Sequence, residues 1–362
     1  MNIKLLDKNY AILGEIDDFY SLVWTRKYFD VGEFQLHAKP NAALQQARYL
    51  YRDDTLETGR INRFDSAQTE TGERYFILSG KFLEGFLSDR IITPVYTSPS
   101  SRQVGMIIGD LITRNMISPV DVARRISNVR MGSIAATTAV PSLQVTYDNL
   151  KEYIYELCLQ YGCSVRAVYD FMTNEIEFQV WNGLDRTQDQ SINSWAVFSD
   201  TYDNINQIEY YKDESDYKNF AYVAGEDGGT SRVIVEINNV GSGEDRKELY
   251  VDARDLQSED ENNNAIPAAT YRAMLTQRGS EKLSTWLTLE NVSCSISVYN
   301  KSLVYKQDYD LGDMCTIQYN ELGITVEKRI TECTETWESG ALSVETVFGE
   351  DYLNFWNLAT HK

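Results

Sequence analysis

Two histidines, five cysteines and three closely spaced aspartates are the side chains from which this chain would have to build most chemistry. His37 falls inside an alternating, strand-like run and His361 stands next to the last residue, so neither is set up as the general base of a triad. Cys158, Cys163, Cys294, Cys315 and Cys333 form an odd set without a Cys-x-x-Cys. With so few histidines beside them, buried thiols are expected and a zinc cluster is not. Asp308, Asp310 and Asp313 offer oxygen ligands for calcium, but their spacing departs from an EF-hand and no Glu closes the loop. Gly225-Glu226-Asp227-Gly228-Gly229 has the glycines of a phosphate cradle. Its two carboxylates would repel an anion and no Lys follows, which makes it a hairpin loop. Gly-x-Ser-x-Gly, His-Glu-x-x-His and Gly-Lys-Ser/Thr are all absent. Paired carboxylates for glycoside hydrolysis remain open, because their separation belongs to the fold. Trp24, Trp181, Trp195, Trp286, Trp337 and Trp356 would either stack on sugars or pack inside, and their strand and helix settings favour packing for most. No catalytic, cofactor-binding or metal-ligating residue is assigned, no cofactor is expected, and the chain does not read as an enzyme.

The elements that carry these residues are mostly strands. Phe19–Thr25 is aromatic and β-branched, Phe34–Ala38 alternates apolar with polar before Pro40-Asn41, and Tyr75–Gly80 is a further strand, while Leu13–Asp18 reads as a turn. From Val104 the positions Ile107, Ile108, Leu111, Ile112 and Met116 share a helix face that Pro119 ends. A second helix from about Asp148 places Leu150, Ile154, Leu157, Cys158 and Tyr161 on one stripe and stops at Gly162. Val165–Tyr169 and Ile176–Val180 flank a turn. Gln207–Tyr211, Phe220–Ala224 and Arg232–Ile237 suggest a meander of adjacent antiparallel strands. Ser258–Asn264 is an acidic loop, and Pro267 opens a helix with Tyr271, Met274, Leu275, Leu283, Trp286 and Leu287. Strands return with Val292, Cys294, Ile296 and Val298, then Gly323–Val326 and Leu342–Val347.

At 362 residues the chain is long enough for two to four domains. Its 54 acidic against 34 basic residues give a net charge of −20, which on average repels phosphate and argues against sequence-specific nucleic-acid binding. An acidic residue at Asp7 precedes any apolar run of signal-peptide length, and no stretch approaches the roughly 18 apolar residues of a membrane span, so a cytoplasmic product is expected.

Several blocks in order resemble a family of phage minor tail proteins. The N-terminal ones are Leu13–Asp18, Ser21–Thr25, Gly32–Leu36, Leu78–Glu84 and Arg90–Ile92. Asp185–Thr187, Tyr217–Glu226 and Asp245–Leu256 follow, then Tyr309–Asp313, Gly323–Val326 and Arg329–Glu332. The family occurs in siphophages and prophages of Gram-positive bacteria and is related to the baseplate hub of contractile phages. The resemblance implies an α+β, mainly β chain with two tail-tube-like β-domains (β-barrel in character), an inserted α/β domain and a small helical insertion. It implies residues 1–95 as the first tube-like domain, 96–190 as the α/β domain, 191–245 with 288–352 as the second tube-like domain, 246–287 as the helical insertion and 353–362 as a tail.

The function so implied is a structural baseplate hub at the tail tip, a homotrimer in the virion tail, assembled in the host cytoplasm. Its partners would be its own copies, the tail tube or distal tail protein, and tail-fibre, receptor-binding or lysin proteins. DNA would pass along its channel without specific binding. The 13 residues after Gly349 are too few for a lysin or receptor-binding domain, so those activities would sit on other polypeptides, with Tyr352, Leu353, Phe355, Trp356 and Leu358 either docking them or packing back. The alternatives are a tail-associated hydrolase or endopeptidase, which would lose activity on single carboxylate substitutions, and a carbohydrate-binding receptor module, which would bind glycan as an isolated domain.

Overall fold

A computed structural model describes residues 1–68, 72–202, 204–226, 232–238, 242–259, 265–286, 289–296 and 303–349. The chain is mainly β and packs into two compact units: residues 1–85, 164–210 and 291–349 form one, residues 86–163 and 211–290 the other.

The first unit is organised by one large sheet. Its strands run in the order Ile205–Asp213, Leu289–Ile296, Ala341–Gly349, Ile324–Glu338, Phe19–Lys27, Glu33–Ala38, Arg74–Phe82, Thr58–Gln68, Tyr49–Arg52, Ile3–Leu6, Ile12–Ile16. The join between its early and late strands is the antiparallel ladder of Phe19–Lys27 with Ile324–Glu338, which sets Arg26 opposite Cys333, Trp24 opposite Glu335 and Leu22 opposite Trp337. Alternation does the sorting expected of it: in Glu33–Ala38, Phe34, Leu36 and Ala38 are buried and the residues between them are not. Ile3, Leu5, Leu22, Trp24, Leu50 and Leu78 make one core, while Tyr28, Phe198, Tyr309, Ile317, Ile330 and Phe348 make a second. Among the described residues the sheet is an open path, so the closed barrel expected from the resemblance does not form; its outer strands Ile12–Ile16 and Ile205–Asp213 stay at opposite ends of the ladder.

Leu13–Ile16 belongs to a strand and not to the turn its Gly-Glu composition suggested. Ile3–Leu6 supplies an antiparallel partner, with a bulge at Leu13, and only Asp17 and Asp18 are left to turn the chain. The Ser164–Asp170 and Glu175–Trp181 hairpin forms where expected, with Val165 facing Val180 and Tyr169 facing Ile176.

In the second unit, the stripe of Ile107, Ile108, Leu111, Ile112 and Met116 is fully buried. It spans helix α1 (Val104–Ile112) and a following π-helical turn, Thr113–Ile117. Asn149 caps helix α2 (Leu150–Tyr161) by accepting from Lys151 N and Glu152 N, and Gly162 ends it at φ 69°, a conformation that favours glycine. Helix α3 (Ala268–Ser284) begins directly after Pro267 and buries Tyr271, Leu275 and Leu283 against Ala221, Val223, Ile237 and Val251. Among the predicted members of this helix, Leu287 lies outside the described residues.

The expected meander is not what forms. Phe220–Ala224 is the middle strand of a separate sheet, antiparallel to Ile234–Asn238 and parallel to Glu248–Asp252, whereas Ile205–Asp213 pairs in the large sheet. Four of the five residues in Phe220–Ala224 are buried, so the strand needs neighbours on both edges and a helix over it.

Candidate functional site

The densest set of charged side chains lies in the first unit, where early and late strands meet. Arg52 ends the Tyr49–Arg52 strand with no exposed surface, its guanidinium 4.9 Å from the Trp24 ring centre and 4.1 Å from that of Trp337. It donates to Glu335 Oε2 at 2.9 Å and to both Asp54 oxygens at 2.7 and 3.0 Å. Glu335 is equally buried, and its other oxygen meets Lys306 Nζ at 2.7 Å. One step along, Arg26 donates to Glu57 at 2.8 Å, to Asp310 at 2.6 Å and to the Tyr305 hydroxyl at 3.0 Å. Thr25 and Thr334 hydroxyls join across the ladder at 3.1 Å.

Burial alone would push the proton off Arg26, but Glu57, Tyr305 and Asp310 outweigh it and hold the guanidinium well above its ordinary value. Burial likewise opposes ionisation of Glu57, and Arg26 with the Thr55 hydroxyl brings it below the usual carboxylate range. Burial pushes the Cys333 thiol and the Tyr305 phenol up, leaving both protonated at neutral pH. Buried charges paired in this way hold a geometry, although Arg52 Nη1 has no hydrogen-bond partner among the described residues. Removing one partner leaves a buried charge without compensation, which costs about 3–5 kcal/mol.

A second buried carboxylate behaves differently. Glu84 follows the Arg74–Phe82 strand, and one of its oxygens accepts from Ala167 N at 2.6 Å while the other has no partner among the described residues. Burial raises it to about 7, which the Ala167 N–H and the Arg166 charge offset only in part.

The residues singled out from sequence are not brought together. His37 contacts Gln35 at 3.0 Å on its own strand, and His361 lies outside the described residues. Cys158, Cys163, Cys315 and Cys333 are buried thiols, none in a disulfide; the Cys294 side chain lies outside the described residues. Asp308 accepts from Val304 N, Asp310 from Arg26, and Asp313 from Arg186 and Leu184 N, so each of the three serves a different partner. Among the described residues no three His, Cys, Asp or Glu side chains are grouped to hold a metal. Gly225 stands in the hairpin between Phe220–Ala224 and Ile234–Asn238, as expected, with Arg232 bonded to its carbonyl at 2.8 Å; residues 227–231 lie outside the description. Residues 260–264 of the acidic loop and the tail 353–362 also lie outside it. Trp24 is interior, Trp181 packs edge-on to Tyr28 at 4.9 Å, and Trp195 is 54% exposed. Among the described residues no helix is long and apolar enough to cross a membrane.

Arg26, Arg52, Glu57, Lys306 and Glu335 were not legible as a group. Their nearest signal was that Ser21–Thr25 and Arg329–Glu332, two of the blocks carrying the resemblance, end one and three residues short of Arg26 and Glu335.

The mainly β fold of this chain is similar to those of several solved tail proteins. The chain matches a tail protein from Neisseria meningitidis MC58 with a TM-score of 0.59 at 12% identity, covering 96% of each chain. It matches the 43 kDa tail protein of prophage MuSo2 from Shewanella oneidensis with 0.57 at 10% identity, covering 96% of this chain and 98% of that one. A prophage tail protein from Listeria monocytogenes gives 0.55 at 11%, covering 99% and 97%. These likenesses show a fold shared with solved phage tail proteins. No curated protein matches the sequence. The chain belongs to the family of Siphovirus ReqiPepy6 Gp37-like proteins, whose profile matches residues 2–350.

Proposed function

We propose that this protein is the hub of a phage tail tip, three copies forming a ring at the distal end of the tail tube and anchoring the tail-tip or receptor-binding components. One observation carries the reading: the strands of residues 1–95 and those of residues 289–349 are continuous in a single ladder, as two tube-like halves placed side by side would be. In this reading residues 1–95 are one half, 191–245 with 288–352 the other, and 96–190 and 246–287 are insertions. The protein is a non-enzymatic scaffold of the virion tail, assembled in the host cytoplasm. Its net charge of −20 lets DNA slide through the channel without adhering. Its neighbours are its own copies, the tail tube or distal tail protein, and separate fibre, receptor-binding or lysin proteins.

Negative-stain imaging of the purified full chain tests this. A ring with a hole of tube-like width is expected; a compact monomer with a deep cleft would return the reading to a hydrolase. A ring whose lumen is rich in Lys and Arg would overturn the sliding-channel part alone.

A further inference from the structure

Resting on the ring reading, the next question is which faces of the chain meet. A closed ring of three needs a heterologous interface, two different and complementary patches on each copy. Val120, Met172 and Ile192 are each 91% exposed. Met172 tips a hairpin turn held by Asp170. The other two stand on segments of opposite electrostatic character.

Ile192 belongs to a loop that is rigid by construction. Gln190 accepts from Ile192 N at 2.7 Å and Asn193 N at 2.8 Å, and donates to the carbonyls of Thr187 and Asn193, both at 3.0 Å. Trp195 Nε1 donates to the Gln190 carbonyl at 2.9 Å, and Arg186 ties the loop to Ser194 and Asp313. These bonds hold Ile192, Trp195 and the 47% exposed Leu184 toward solvent, so little ordering remains to be lost on contact. The flank is acidic. Asp185 and Asp189 are exposed, and Gln188 N bonds the Thr316 hydroxyl at 3.0 Å, directly across the strand pair from exposed Glu327. Burial, then the Asp189 and Asp185 charges, raise Glu327, a crowding that a cation would relieve.

The second patch surrounds Val120 and Val122, the latter 75% exposed. Arg125 beside them is exposed; Arg124 is anchored on the carbonyls of Ile91 and Thr93, and the Asp121 carboxylate is engaged by Ala123 N. Apolar groups with an acidic rim thus face the same kind of groups with a basic rim. Either patch meeting its own copy would set like charges together.

We infer that the acidic 184–195 loop of one copy docks on the basic 119–125 ridge of the next copy.

The test uses the full chain carrying Asp189→Lys, Arg125→Glu, or both, with sedimentation equilibrium to read assembly. Each single reversal is expected to weaken trimer association at least tenfold, and the double reversal, which restores a pair at every interface, to return it to within threefold of wild type. A chain with Ile192→Cys and Val120→Cys is expected to give oxidised dimer and trimer bands. Trimers indifferent to the single reversals, or yielding only monomer bands, overturn this interface and leave the ring reading standing. A dimer as the sole species shows a self-facing patch and overturns the interface, and a wild-type monomer at every concentration overturns both.

Discussion

Each unit buries a carboxylate against arginine, with opposite results. In the first, Glu57 accepts from Arg26 at 2.8 Å and from the Thr55 hydroxyl, and together they bring it below the usual carboxylate range. In the second, Glu281 on α3 lies 3.8 Å from Arg278, which is already committed to Asp255 and the Gln144 carbonyl. Burial raises Glu281 to about 7 because Arg278 only partly offsets it. The comparison shows that a nearby arginine does not by itself offset the burial of a carboxylate; a direct hydrogen bond at 2.8 Å does what an approach of 3.8 Å does not.

The largest expected effect comes from breaking the charged seam of the first unit. Arg52→Ala should destabilise the first unit by about 3–5 kcal/mol, because Glu335 keeps only Lys306 and two rings lose their packing. Urea unfolding measures this, and a loss below about 1 kcal/mol would show that the seam is not held by its charges. Arg52→Lys should recover only part, lacking the planar fork and the stack.

The second prediction concerns pH. Glu281 and Glu84 both have folded values of about 7 against an ordinary 4.5, so the folded chain binds more protons than the unfolded one between those limits. The stabilisation from each is complete below about pH 4.5 and lost as pH rises through 7, on the order of 2–3 kcal/mol per group. Glu281→Gln should therefore flatten the decline between pH 5 and 8 and raise the melting temperature at pH 8, read by calorimetry. An unchanged slope would place Glu281 on the ionised side of the comparison.

Gly312→Ala sharpens the first half further. Gly312 has φ +85° and a Cβ there would meet the Tyr28 ring at 2.5 Å, so a loss of about 2 kcal/mol is expected in the same urea assay. Smallest of all, Lys39→Ala removes an ion pair whose side chains are 57% and 71% exposed, and the unfolding midpoint should not move.

What was legible in the sequence follows from range. Phe34–Ala38, the α1 stripe and the Gly162 stop are written in residues a few positions apart, and each forms where expected. The partner of Phe220–Ala224 on its parallel side begins more than twenty residues later, and local alternation carries nothing about it. The seam is an extreme case, since Arg52 and Glu335 are 283 positions apart and each reads locally as an ordinary surface charge. No catalytic grouping was read from the sequence, and the aspartates considered for calcium are spent on separate structural bonds.

The ladder between Phe19–Lys27 and Ile324–Glu338 also sets a clock for biosynthesis. About 300 residues emerge between the two strands, roughly 15–60 s of translation at common ribosomal speeds. Throughout that interval Phe19–Lys27 has an open edge, with Leu22 and Trp24 already facing a core and half of its backbone amides still bonded to water. The nascent polypeptide is therefore exposed to edge-to-edge aggregation until its last strands arrive, and slower translation upstream of Ile324 would lengthen that exposure in direct proportion.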